Sequence, residues 1–221
     1  MIPLRSTERT YSTPVVTLTL IAINCLLFLF ELALGPYGMD ALVARYGLVP
    51  DRLHYSSLVT SMFLHGGWLH LIGNMWFLWI FGKNVEDVLG HAKYLTFYLI
   101  CGVVSGIIHV LFNYYSRVPT IGASGAIAGV MGAYLIQFPR ARIVTLVPIF
   151  IFITTLDIPA AFLLLYWFAI QFFSGFGSIG ATQMSSGGVA WFAHIGGFLV
   201  GMLLIKIMGT QPRYRPPWYL P

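Results

Sequence analysis

A helix needs about 20 consecutive apolar residues to cross a membrane, and this 221-residue sequence returns to that pattern repeatedly. The first run covers about 14–34, with Asn24 and Glu31 as its only strongly polar members. It follows a short basic segment but is long and lacks a small-residue cleavage pattern, so it reads as an uncleaved span rather than a signal peptide. Further runs lie at about 68–85, 94–112, 122–138, 158–173 and 189–208. Pro148, Asp157 and Pro159 break the apolar stretch 143–173, so 143–157 reads as an apolar connection at the membrane face. Charged residues make up 9% of the chain and apolar ones 58%, against about 25% charged in soluble domains. The expectation is an all-α membrane protein: a single domain over 1–221, a six-transmembrane-helix bundle, with short tails at 1–13 and 209–221. The long segment 35–67 is expected to be a partly helical, interfacial first loop, because irregular backbone facing lipid leaves amides unpaired.

The basic residues set orientation. With the N-terminus in the cytoplasm, Arg5, Arg9, Lys83, Lys93, Arg140, Arg142, Lys206, Arg213 and Arg215 are cytoplasmic, and Arg45, Arg52 and Arg117 are not. That bias puts both termini in the cytoplasm. It also accounts for the positive net charge without nucleic acid as a partner. The short tails favour a prokaryotic plasma (inner) membrane. Cys25 and Cys101 both fall inside apolar runs and read as small core residues, not as a disulfide or metal site.

Polar side chains inside spans are costly and are candidates for function. Spans two, four and six all start from the outer side, and His70, Asn74, Ser124 and His194 each lie within about two turns of that end. His70 and Asn74, four apart, share a helix face. His194, Gly197 and Gly201 form one stripe, and the fourth span opens with Gly122, Ala123, Ser124, Gly125, Ala126, Ala128 and Gly129. Small residues let membrane helices approach backbone to backbone, which would bring the Ser124 hydroxyl within reach of the His194 ring. A serine needs such a neighbouring base to become a nucleophile. Taken singly, each feature has a plainer reading: a helical serine bonding its own backbone, a glycine stripe that only packs, a histidine in a structural hydrogen bond. His109 takes that structural reading, His54 and His91 read as surface residues, and Asn24, Glu31 and Asp157 as buried hydrogen-bonding groups or interface anchors.

At these residues the sequence resembles the rhomboid family of intramembrane serine proteases. Gly122-Ala123-Ser124-Gly125 is similar to its nucleophile motif. Ala193-His194-Ile195-Gly196-Gly197, with Gly201, resembles its catalytic-histidine helix. The stretch from His65 to Asn74 resembles its second span, and Glu86 fits the pattern at that span's inner end. The resemblance implies a Ser-His dyad of Ser124 and His194, an oxyanion held by the His70 ring, the Asn74 amide and the Ser124 backbone N–H, and site packing by Gly122, Gly125, Gly197 and Gly201. It implies single-pass or other transmembrane proteins in the lipid bilayer as substrates, with no cofactor and no metal. Two positions depart from the family. Ser56-Ser57 stands where members often carry Trp-Arg, and Ala128 where some carry a tyrosine stacked on the histidine; packing on Gly125 and Ala128 is then expected to orient His194. A transporter or channel would place polar groups at several depths, whereas the inner halves of spans four and six are apolar. A metal or haem site on His65, His70 and His194 lacks ligand spacing such as His-Glu-x-x-His.

Overall fold

The computed structural model describes residues 2–149, 152–178 and 190–211. Val189, most of the 174–188 loop, Arg213 and Arg215 lie outside the described residues. In chain order the elements are β1 (Ile2–Ser6), α1 (Val15–Ala33), α2 (Gly35–Tyr46), α3 (Ser57–Thr60) and α4 (Trp68–Phe77). A π-helical stretch, Leu78–Gly82, joins α4 to α5 (Lys83–Leu89), so 68–89 is one continuous helical run. There follow α6 (His91–Phe112), α7 (Ser124–Gln137), β2 (Arg142–Ile149), β3 (Phe152–Pro159), α8 (Ala160–Ser178) and α9 (Trp191–Met208). Gly90, at φ +76°, makes the turn between α5 and α6, a conformation that a side chain would oppose.

Among these, α1, α6, α8 and α9 are long and apolar enough to cross a membrane. Only 22–44% of their residues are buried within the protein, and Leu26, Leu29, Phe30, Leu111, Leu203 and Ile207 point outward. So much exposed apolar surface is incompatible with water as the only solvent. The chain is an integral membrane protein. α7 is the opposite case: 14 residues long and buried from Gly125 to Leu135, it forms the centre around which the other helices stand. The segment 35–67 holds α2, α3 and two short 3-10 turns, and pairs with the chain ahead of α7 through reciprocal Leu48–Thr120 backbone bonds of 2.9 and 2.8 Å.

The structure is mainly helical, but the all-α expectation needs correction. A three-stranded antiparallel sheet, ordered β1-β2-β3, takes in the first residues and the stretch expected to be a plain connection. β2 and β3 pair in continuous register from Arg142↔Pro159 to Ile149↔Phe152. β-branched residues fill both strands, which suits a pleated surface, and the hairpin pairs amides that an apolar segment at a membrane face could not leave open. Ile143 and Thr145 turn inward and are fully buried. Of the segment 1–13, expected as a tail, residues 2–13 are also ordered. β1 pairs with β2, Trp76 donates its indole N–H to the Pro3 carbonyl at 2.6 Å, and Ser6 Oγ meets Tyr134 OH at 2.5 Å.

The start of α1 is tied to α5 by carboxylates. Glu86, fully buried, accepts the backbone N–H groups of Val16 and Thr17, both at 2.8 Å, and the Thr17 hydroxyl at 2.6 Å. Its other partner is His91 Nδ1 at 2.6 Å. Asp87 accepts the N–H groups of Tyr11 and Ser12. The first N–H groups of a helix have no partner within it, and an anion there also meets the positive end of the helix dipole. Glu86→Ala should therefore destabilise the fold by about 2–5 kcal/mol, since each bond to a charged group is worth about 1.5–3 kcal/mol. Thermal unfolding in detergent micelles, read against wild type, measures this; an unchanged midpoint would show that the carboxylate is dispensable.

Candidate active site

The loop leading into α7 is held from three sides. Thr120 pairs with Leu48, its hydroxyl meets His109 Nε2 at 2.8 Å, and the Gly122 N–H donates to the Ser61 carbonyl at 2.8 Å. His109 thus has the structural role expected of it. Gly122 lies at φ +118°, and a Cβ there would come 2.6 Å from His70 Nε2 and 3.4 Å from Asn74 Nδ2. Only glycine fits both the backbone angle and the space. Ser124 follows as the first residue of α7, so its backbone N–H has no helical partner and faces the start of the helix.

α9 comes to Ser124 through contacts between backbones. A Cβ on Gly197 would overlap the Gly125 carbonyl, one on Gly201 the Gly129 carbonyl, and one on Gly132 the Phe198 carbonyl. His194 sits in the first turn of α9, its N–H bonded to the Ala190 carbonyl. With the helices this close, His194 Nε2 lies 2.8 Å from Ser124 Oγ. The other ring nitrogen, Nδ1, lies 2.7 Å from Gln171 Oε1 on α8. The Trp167 ring, one turn earlier on α8, stands 5.7 Å from the imidazole at an interplanar angle of 37°.

His194 was expected to be oriented by packing on Gly125 and Ala128, and the contacts that hold its ring come from α8. Gly125 faces Ser105, and both Gly125 and Ala128 face Gly197, while α8 grips the histidine through Gln171 and Trp167. The signal for Gln171 was present in the sequence. It is an amide inside an apolar run, close to the expected outer end of the fifth span, at the depth that singled out the other candidates.

On the far side of Ser124, α4 presents His70 and Asn74. The Gly66 N–H donates to His70 Nδ1 at 3.4 Å, which leaves the imidazole proton on Nε2, the atom facing Gly122. Asn74 Nδ2 donates to His65 Nε2 at 3.1 Å and keeps a second N–H free to point elsewhere. His65, placed by its own N–H to Glu31 Oε2 at 3.2 Å, was not singled out for this part. His70, Asn74, Ser124 and His194 line one cavity of about 620 Å³, walled by apolar groups such as Leu69, Ile127 and Trp167. Cys25 and Cys101 are free thiols.

This chain belongs to the rhomboid family, whose Rhomboid domain matches residues 52–211. It is 33% identical over 159 residues to RHOMBOID-like protein 6, mitochondrial, of Arabidopsis thaliana, covering 71% of this chain and 44% of that protein. It is 36% identical over 127 residues to Rhomboid protease GluP of Bacillus subtilis, covering 55% and 24%. With Rhomboid protein 1, mitochondrial, of Saccharomyces cerevisiae it shares 28% over 151 residues, covering 66% and 40%. The chain thus spans less than half the length of each of these relatives. Mitochondrial and bacterial proteins both stand among them, so the expected prokaryotic plasma membrane draws no support from these relatives.

Burial pushes the His65 imidazole down to about 4 from 6.5, and the nearby His70 adds to the effect. His65 is therefore neutral at pH 7 and can accept from Asn74. The unfolded chain binds this proton more readily than the folded one, so its contribution to stability is full above about 6.5 and lost as pH falls towards about 4. Unfolding midpoints recorded from pH 7 to pH 4 should fall more steeply for wild type than for His65→Gln, which keeps an acceptor but does not titrate. Parallel slopes would exclude His65 as a source of acid sensitivity.

Proposed function

We propose that this chain is an intramembrane serine endopeptidase that cleaves transmembrane segments of membrane-protein substrates with a Ser124–His194 dyad. The observation that carries the reading is the 2.8 Å contact between Ser124 Oγ and His194 Nε2, at the wall of a cavity of about 620 Å³ in a chain belonging to the rhomboid family. In this reading the run 68–89 and α7 join the four long apolar helices to give six spans, with both termini cytoplasmic and the site towards the outer face.

Ser124 Oγ attacks the scissile carbonyl carbon while its proton passes to His194 Nε2. Negative charge gathers on the carbonyl oxygen, where His70 Nε2–H, the free N–H of Asn74 and the Ser124 backbone N–H converge as donors. Donors already in place for the developing charge need no rearrangement during the reaction. His194 then returns the proton to the leaving amine as the C–N bond breaks, leaving an acyl ester on Ser124. Water attacks that ester with His194 again as base, releasing the new carboxylate end and restoring the serine. Gly122, without a side chain, leaves room for the substrate backbone beside the nucleophile.

A fluorescent fluorophosphonate tests the dyad without knowledge of the natural substrate. Purified wild type should label, and Ser124→Ala and His194→Ala should not. Equal labelling of all three would place the nucleophile elsewhere. With a transmembrane reporter substrate, Asn74→Ala should retain cleavage reduced by roughly 10²–10³-fold, the cost of losing one oxyanion donor.

A further inference from the structure

We propose that Gln171 is a positioning residue that holds His194 in the tautomer able to act as base, an inference that rests on the dyad reading above. An imidazole can carry its proton on either nitrogen, and only the form with a bare Nε2 accepts the Ser124 hydroxyl proton. The rear nitrogen decides which form prevails. Gln171 Oε1 stands 2.7 Å from Nδ1. A carbonyl oxygen only accepts, so Nδ1 carries the hydrogen and Nε2 presents its lone pair to Ser124 at 2.8 Å. The two contacts agree on a single proton arrangement: serine to Nε2, Nδ1 to glutamine. The reversed arrangement, with the proton on Nε2, would set Nδ1 and Oε1 together as two acceptors.

A purely structural reading of Gln171 is that a polar side chain inside a span bonds another helix for stability. Three observations go further. Gln171 is buried on a helix whose surface is mostly exposed, so the fold turns this amide inward. Its partner is the one atom whose protonation sets the chemistry at Ser124. Trp167, four residues earlier and so on the same face of α8, borders the same imidazole and adds an aromatic contact to the hydrogen bond. The orienting group comes from α8, an element separate from the two that carry Ser124 and His194. When His194 takes the serine proton, the Nδ1–H bond to Gln171 persists and strengthens, since the donor becomes cationic. A neutral amide does this without adding a charge to the apolar surroundings, where an unpaired carboxylate would be costly.

The test compares Gln171→Met, similar in length but lacking the acceptor, with Gln171→Glu, which keeps an acceptor oxygen at the same reach. Partners that orient a functional histidine are worth about 10–100-fold in activity in metal sites, and the same range is expected here. Gln171→Met should lower both the fluorophosphonate labelling rate and kcat on a transmembrane reporter by that factor, with KM within about twofold. Gln171→Glu should stay within a few-fold of wild type. A structural role alone would lower the unfolding midpoint of Gln171→Met while leaving the labelling rate of its folded fraction unchanged, and that result would overturn the proposal. If Gln171→Met does not fold, Gln171→Asn, which withdraws the carbonyl by one methylene, replaces it with the same expectation. A spectrum of 15N-histidine-labelled wild type, assigned by comparison with His194→Ala, should show His194 protonated at Nδ1; protonation at Nε2 would also overturn it. The two readings fail separately. Ser124→Ala that still labels removes the dyad, whereas Ser124→Ala silent beside Gln171→Met at full rate removes only Gln171.

Discussion

The site depends on how closely α7 and α9 approach. In lipid no hydrophobic force draws two apolar helices together, so close packing and backbone contact must hold them. A Cβ on Gly132 of α7 would strike the Phe198 carbonyl of α9, and one on Gly197 or Gly201 of α9 the Gly125 or Gly129 carbonyl of α7, while Gly125 and Gly129 themselves are closed off by Ser105 and Cys101 of α6. Ser124 and His194 each lie in the first turn of one of these helices, so their separation follows from the helix separation and little else. A hydrogen bond at 2.8 Å tolerates only a few tenths of an ångström before it weakens. The glycine stripe therefore sets the serine–histidine geometry, although none of its residues needs to touch a substrate.

Around that pair, each polar side chain facing the cavity is secured from behind by a group on another segment. Asn74 is held by His65, and His65 by Glu31 of α1; His70 is held by the Gly66 backbone, and His194 by Gln171 of α8. Fixing the rear atom of an imidazole also fixes which front atom bears the proton, so these bonds set proton positions as well as directions. His70 presents a donor towards Gly122 and His194 an acceptor towards Ser124. Two histidines with opposite front atoms on either side of one serine suit a reaction in which one side removes a proton and the other receives negative charge.

How much of this was legible in the sequence differs from residue to residue. Small-residue stripes and the depth of the polar groups pointed to α7 and α9 meeting near Ser124 and His194, because helix periodicity and hydropathy act locally and leave a trace in the order of residues. Gln171 escaped because a single amide in an apolar run does not say which helix it faces; that depends on how α8 packs, a non-local fact. His65 escaped for a similar reason: it stands in the connection ahead of α4, and only the folded chain brings it back onto Asn74. The sheet was missed because Pro148 and Pro159 argue against strands in isolation. β1 pairs only with Ile143–Leu146 of β2, so Pro148 lies beyond it, and Pro159 ends β3. The pairing of β1 with a strand more than a hundred residues away has no local sequence signature at all.

The length of α7 bears on how the proposed hydrolytic site would work within a membrane. At 14 residues it is about 21 Å long, while the hydrocarbon layer is about 30 Å thick. A helix that short, surrounded by longer ones, leaves at least one of its ends below the lipid boundary. In the proposed orientation the recessed end is the N-terminus, where Ser124, its free backbone N–H and the approach past Gly122 meet the cavity. Unpaired amides facing lipid would cost several kcal/mol each, so the end of such a helix is tenable only against polar partners or water. His70, Asn74 and the cavity supply those conditions. The proposed peptide hydrolysis consumes one water molecule per bond, so in that reading the hollow that makes a short central helix tolerable is also where the water is held.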